Sequence, residues 1–213
     1  MSFELAWRTP VAWAEAALAE PLVLLSDHAH CELGAAAAAQ GWIARFAERT
    51  SLVERLGALA VEELRHFRRV HRLLVELGGV LEPPRKNAYV EDLHRARGEE
   101  VLLDRLLIGA LVERRSLERF ELLAEHADGQ LKTLYAELAP SERGHATLFL
   151  ELARDACGAE RSAERFEELR LHEGRVARAQ APAPRVHAGP PASEEAEVAG
   201  SRHDAVLAED SSR

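Results

Sequence analysis

Three features of the 213-residue chain predict an all-α fold. Between Leu22 and Ala181 the only prolines are Pro83, Pro84 and Pro140, which leaves long stretches of Ala, Leu, Glu and Arg, the strongest helix formers. β-Branched residues are scarce, and no alternating apolar–polar run bounded by turn residues appears. Four long helical stretches are separated by a short, a long and a short connection, the pattern of an up-and-down bundle with one crossover.

The elements follow in order. A short helix is expected near Pro10 to Leu18, then a long one from about Pro21 to Arg49, with both prolines at first-turn positions. Thr50 or Ser51 can cap the next, from about Leu52 to Leu77, which Gly78 and Gly79 terminate. Residues 80–98, with Pro83-Pro84 and Asn87, read as the long connection. A further helix spans about Glu99 to His126, and Asp128-Gly129 breaks the chain. The last bundle helix runs from about Gln130 to Cys157, with a kink or break expected at Pro140. An additional C-terminal helix covers about Ala159 to Ala179. The crossover between the second and third long helices is where a ferritin-like bundle has it. Residues 1–189 therefore read as one ferritin-like domain, and 190–213 as an acidic, disordered, flexible tail.

Composition narrows the function classes. The net charge of −9 counts against binding nucleic acid through a bulk positive field. Two cysteines, Cys31 and Cys157, form no disulfide framework and no CxxC motif, and fit a reducing compartment. No apolar run is long enough to span a membrane, and Met1 to Pro10 do not read as a secretory signal. A cytoplasmic protein with no membrane partner is the expectation.

The chemistry lies in the glutamates and histidines. Residues i and i+3 share one helix face, so Glu-x-x-His on an inward face aims a carboxylate and an imidazole at one point. Glu63-Leu-Arg-His66 and Glu142-Arg-Gly-His145 do this on the second and fourth long helices. Glu91-Asp-Leu-His94 falls in the long connection and is assigned no role. Glu32 precedes Glu63 by 31 residues and Glu113 precedes Glu142 by 29, so each half supplies a Glu helix followed by a Glu-x-x-His helix. A di-metal site in a four-helix bundle needs one Glu from each of two helices and Glu-x-x-His from the other two, and the chain supplies that set in order. Glu32 sits among Cys31, Leu33 and a run of alanines, and Glu113 follows LLIGALV. Carboxylates on such apolar faces are costly unless paired or metal-bound. Carboxylate and imidazole without thiolate favour iron or manganese, and six ligands over two ions leave coordination positions open. Glu62 and Ser141, which directly precede the two motif glutamates, are expected to hydrogen-bond the ligand histidines across the bundle.

At these residues the chain resembles a known family. Asp27-His-Ala-His-Cys-Glu32, Glu62-Glu-Leu-Arg-His66-Phe67, Glu113-Arg-Arg-Ser116-Leu-Glu118-Arg119-Phe120 and Ser141-Glu-Arg-Gly-His145 look like the signature blocks of MiaE. The likeness extends over about residues 5–190, including Trp13 and the late Arg185-Val-His187-Ala-Gly189-Pro190. Arg114 and Gly144 depart from the pattern, standing where alanine is expected. MiaE proteins are tRNA-(2-methylthio-N6-isopentenyladenosine) hydroxylases. The resemblance implies a non-haem di-iron monooxygenase. It would use O2 to hydroxylate the prenyl side chain of the adenosine at position 37, in the tRNA anticodon loop. Electrons would come from an external reductase or ferredoxin, because the chain has no flavin or iron–sulfur motif.

A base in that loop is already single-stranded, so aromatic stacking and phosphate contacts would suffice to bind it. The candidates are Arg85 and Lys86 in the long connection, Arg114, Arg115 and Arg119 on the third long helix, and Arg185 and His187 near the end. Arg65, Arg68, Arg69 and Arg72 read as a solvated face. Other ferritin-like roles remain as alternatives: iron or peroxide handling, or a manganese-catalase-like activity. A metal-free helical interaction protein is the third. Of the net −9, four charges are the expected ligands Glu32, Glu63, Glu113 and Glu142, and residues 190–213 carry −4. A tRNA site on the near-neutral remainder must be a local arginine patch.

Overall fold

The computed structural model describes residues 4–192. They form α1 (Val11–Leu18), α2 (Pro21–Arg45), α3 (Thr50–Glu76), α4 (Ala88–Arg95), α5 (Val101–His126), α6 (Gly129–Cys157) and α7 (Ala159–Ala179). Helices α2, α3, α5 and α6 are the four-helix bundle of a ferritin-like fold. The sequence places these helices to within a few residues, and α7 to the residue. From residue 193 onward the expected tail lies outside the described residues. Among the described residues no helix is long and apolar enough to cross a membrane.

Three details differ from expectation. The crossover contains α4, an eight-residue helix whose N-cap Asn87 accepts a hydrogen bond from Val90 N at 3.2 Å. α3 starts at Thr50 behind Arg49, with no side-chain cap. α6 continues through Pro140. Proline removes the donor to the Ala136 carbonyl, but Ala136 and Pro140 lie on the exposed face, where the carbonyl is open to solvent.

α2 pairs with α3, α5 pairs with α6, and α3 meets α6, whereas α2 and α5 stand apart. The gap follows from Gly34, Ala35, Ala38 and Ala39 on α2, which are too small to fill it. α4 packs against α5 and α7 beside this gap. Beyond α7, residues 180–189 return as a strap across the bundle. Val186 N donates to Asp27 Oδ2 at 2.9 Å, and Arg119 holds the Val186 carbonyl. Gly189 is obligatory there, since a Cβ would meet the Gln180 carbonyl oxygen at 1.8 Å.

The interior divides into two apolar clusters. One gathers Trp42, Leu56, Leu106, Leu107 and Phe149; the other Leu24, Leu25, Val70, Phe120, Leu123 and Leu138. Between them each bundle helix carries a buried glutamate, joined by a buried histidine on α3 and α6.

Candidate metal centre

The polar layer holds Glu32 of α2, Glu63 and His66 of α3, Glu113 of α5, and Glu142 and His145 of α6, all buried. The helical repeat explains the convergence: each Glu-x-x-His pair spans about one turn, so both side chains emerge on one inward stripe. Potential ligand atoms of Glu32, Glu63, His66 and Glu142 lie within 4.8 Å of one another, as do those of Glu63, Glu113 and His145. Glu63 belongs to both groups. His66 Nδ1 is 3.6 Å from Glu63 and 3.7 Å from Glu32, and His145 Nδ1 is 2.9 Å from Glu63 Oε1.

Unsatisfied atoms test whether a metal fits. Glu63 Oε1, Glu142 Oε1, His66 Nδ1 and His145 Nδ1 are buried without a hydrogen-bond partner of acceptable geometry. Buried polar atoms are rarely orphaned, and four converging from two carboxylates and two imidazoles are the signature of a cation site. The electrostatics agree. Burial and neighbouring carboxylates push Glu113 up and Glu142 far up, and Glu63 up to about 7. The surrounding carboxylates outweigh burial at the imidazoles and raise His66 and His145 to about 9. Glu32 alone is lowered: hydrogen bonds from His28 and His66 overcome its burial.

These shifts set a pH dependence. Metal ligation needs Glu63 ionised and both imidazoles neutral. Below about pH 7 Glu63 and the histidines all hold protons that a metal must displace. Affinity for ferrous or manganous ion is therefore expected to rise steadily from about pH 6 to pH 8, with protons released on loading. Anaerobic titration in weakly buffered solution measures both, and pH-independent binding without proton release would contradict the ligand set.

Around the ligands the expected support is present in modified form. Glu62 Oε2 lies 3.3 Å from His145 Nε2 across the α3–α6 seam and Oε1 lies 3.9 Å from His66 Nε2. Ser141 hydrogen-bonds Glu62 and so reaches the histidines through it. The sequence reading missed His28. Its Nε2–H donates to Glu32 Oε1 at 2.6 Å, and its ring stacks on Tyr135 at 5.5 Å in full burial. The signal was available: His28 lies one turn before Glu32 on the inward face.

A cavity of about 230 Å³ fills the gap between α2 and α5. Glu113 lies in its wall, with Ala35, Ala38, Trp42, Ile108, Val112 and Phe149 giving an apolar surface. Arg85, Asn87 and His187 line it too. Asn87 Oδ1 is taken by Val90 N, so its Nδ2 faces His187 Nδ1 at 3.2 Å. The proton of His187 must then sit on Nε2, which donates to Ser116 Oγ at 3.3 Å. The ring stacks on Tyr89 at 4.8 Å, and burial beside Arg119 and Arg115 keeps it neutral.

The other sequence candidates separate. Arg85 is exposed at the cavity and Arg185 is half-buried in the strap. Lys86 is exposed in an ion pair with Glu91 at 2.6 Å. Arg114 is half-buried on α5. Arg115 and Arg119 are fully buried, so the expectation that they contact tRNA is corrected. Arg115 is bound to Glu173 and Glu118, and Arg119 to Val186 O, 4.6 Å from the Trp13 ring centroid. His187 likewise has both ring nitrogens committed to the protein, and serves as cavity wall.

Comparison with known proteins finds the same relationship by independent routes. The family model for "tRNA-(MS[2]IO[6]A)-hydroxylase (MiaE)" matches residues 2–188. A Pseudomonas putida protein, "tRNA 2-(methylsulfanyl)-N(6)-isopentenyladenosine(37) hydroxylase", is 41% identical over 150 residues, 69% of this chain and 73% of that protein. A Salmonella typhimurium protein of the same name is 35% identical over 106 residues, 48% of this chain and 39% of that protein. Among solved structures, "Protein 43 with aldehyde deformylating oxygenase activity from Synechococcus" superimposes with a TM-score of 0.84 at 39% identity, covering 89% of this chain and 98% of the other.

Proposed function

The chain belongs to the MiaE family and is a tRNA hydroxylase; on that premise we propose that it is a di-iron, O2-dependent monooxygenase. Its substrate is the isopentenyl side chain of 2-methylthio-N6-isopentenyladenosine at position 37, in the anticodon loop. Glu32, Glu63, His66, Glu113, Glu142 and His145 hold the two irons. When bound, they supply the activation of O2 for insertion of one oxygen atom into a C–H bond. The electrons come from a separate reductase or ferredoxin.

The observation that carries this reading is the apolar cavity with a ligand carboxylate in its wall. Iron storage and peroxide removal act on small polar species and need no such chamber. A prenyl group gains by burial, roughly 0.8 kcal/mol per CH2. The α2 and α5 walls would admit that chain and bring its terminal carbons towards Glu113. Trp42, Val112 and Phe149 exclude water from the reacting carbon. Glu62 and His28 orient His145 and Glu32, so that the ligand set is preorganised. A tRNA substrate, and a described fold with no membrane-spanning helix, support a cytoplasmic setting.

Filling the cavity separates binding of the chain from metal chemistry. A Cβ on Gly109 would lie 3.3 Å from the Phe149 ring, so Gly109→Leu pushes side-chain bulk against the chamber wall. Its kcat/KM on tRNA is expected to fall at least about tenfold, with metal content unchanged. Full activity in this variant would place the prenyl group elsewhere. The proposal itself is tested by incubating the iron-loaded protein, a reductant and O2 with tRNA carrying the prenylated, methylthiolated base. Nucleoside analysis should show the hydroxylated nucleoside, and its absence would refute the reaction.

A further inference from the structure

We propose that Arg97 and Arg105, which flank the cavity residue His94, and Arg45 beyond Arg105 bind backbone phosphates of the RNA substrate; this rests on the tRNA-hydroxylase reading. Arg45 ends α2, Arg97 lies in the α4–α5 turn and Arg105 is in the first turns of α5. Trp42 of α2, His94 of α4 and Ile108 of α5 line the same cavity, so the three elements border it together. None of the arginines has a carboxylate partner among the described residues. Five acids of the neighbouring segments are committed elsewhere. Asp104 is held by Arg165 at 2.7 Å and Glu100 by Arg161 at 2.6 Å. Glu48 faces Arg49, Asp92 faces Arg95 and Glu91 faces Lys86.

The cluster is also placed and primed. Arg97 Nε donates to the His94 carbonyl at 2.9 Å. Its turn is pinned, because Gly98 N donates to Asp104 and Arg165 Nη2 donates to the Ala96 carbonyl at 2.7 Å. Arg105 Nε is buried with no hydrogen-bond partner, and so is His94 Nδ1. His94 lines the same cavity as Glu113, which connects the arginines to the place where the base would enter. Burial, then Arg97 and Arg45, lower the Arg105 pKa, and burial with Arg97 and Arg105 keeps His94 neutral. Like charges held together with unmet donors are relieved by an anion. Next to a chamber for a modified base, the fitting anion is the phosphodiester chain on either side of that base. The arrangement explains how a chain of net charge −9 binds RNA: through a local cluster at the site.

The test is a charge reversal at the two exposed members, Arg45→Glu with Arg97→Glu, and separately Arg105→Gln. Binding of tRNA carrying the modified base is followed by fluorescence anisotropy across a salt series. The double variant is expected to raise Kd at least about tenfold and to flatten the slope of log K against log salt by about two. Hydroxylation of the free modified nucleoside, which has no phosphate, should stay at the wild-type level in all variants. Unchanged tRNA affinity and slope would overturn the proposal. So would loss of affinity for the nucleoside 5′-monophosphate with tRNA binding intact, which would mark a free-nucleotide site. If the wild type hydroxylates neither tRNA nor nucleoside, the reaction fails, while the anisotropy still decides the phosphate site.

Discussion

Glu63→Ala is expected to abolish metal binding at both positions and, with it, all hydroxylated product. Glu63 is the one side chain common to both ligand groups, with Oε2 near His66 and Oε1 near His145. Removing it leaves one group with Glu32, His66 and Glu142, and the other with only Glu113 and His145. Loss of supporting contacts alone typically costs 10- to 100-fold in metal affinity, so loss of a shared ligand costs more. Metal content after anaerobic iron loading should drop from two ions per chain to near zero. The helical fold should persist, because in the metal-free protein this carboxylate is crowded by its neighbours and resists ionisation up to about 7. A variant that is folded, metal-loaded and active would remove Glu63 from the centre.

Arg115→Ala is expected to produce the largest loss of stability. The guanidinium makes a two-pronged contact with Glu173, at 2.8 and 2.9 Å, and both side chains are fully buried. It also donates to Thr9 Oγ1 at 3.2 Å, the Trp7 carbonyl at 3.0 Å and Glu118. Tyr89 OH donates to Glu173 from α4 at 2.9 Å. One residue of α5 thus ties together the N-terminal segment, α4 and α7. Alanine strips the buried Glu173 carboxylate of its hydrogen-bonded counter-charge, at a cost of about 3–5 kcal/mol. For a chain of this size that lowers Tm by on the order of 10 °C. Replacing both partners with methionine, Arg115→Met with Glu173→Met, should recover most of it, since a pair of apolar side chains leaves no buried charge. A Tm for Arg115→Ala within a degree or two of wild type would show that the pair contributes little.

The bundle was readable because its signals are local and repeated. Long proline-free runs, glycines at helix ends and the Ala159 start of α7 locate the helices within a few residues. The ligands were readable because Glu-x-x-His is a one-turn motif, and the similar spacing in both halves, 31 and 29 residues, makes its coincidence informative. What escaped depends on long-range packing. α4 is only eight residues long and follows Pro83-Pro84, so its stability comes from contacts with α5 and α7 that no local pattern announces. His94 looked incidental because Glu91-x-x-His94 falls in the crossover; the fold turns it to the cavity. Arg115 and Arg119 looked like surface cations because arginine usually is one. Their burial depends on Glu173, 58 residues from Arg115, and on a strap that returns after α7. Pro140 looked like a helix breaker because its cost depends on whether the freed carbonyl meets water, which only the packed helix decides.

The most direct measurement follows the oxygen atom. The iron-loaded protein, a reductant and tRNA bearing the prenylated, methylthiolated adenosine are incubated under 18O2 gas in ordinary water. The tRNA is then digested and its nucleosides weighed by mass spectrometry. The account predicts a hydroxylated nucleoside carrying one 18O atom, absent when Glu63→Ala replaces the wild type. Product with oxygen from water, or no product from a protein that has bound two irons, would contradict it.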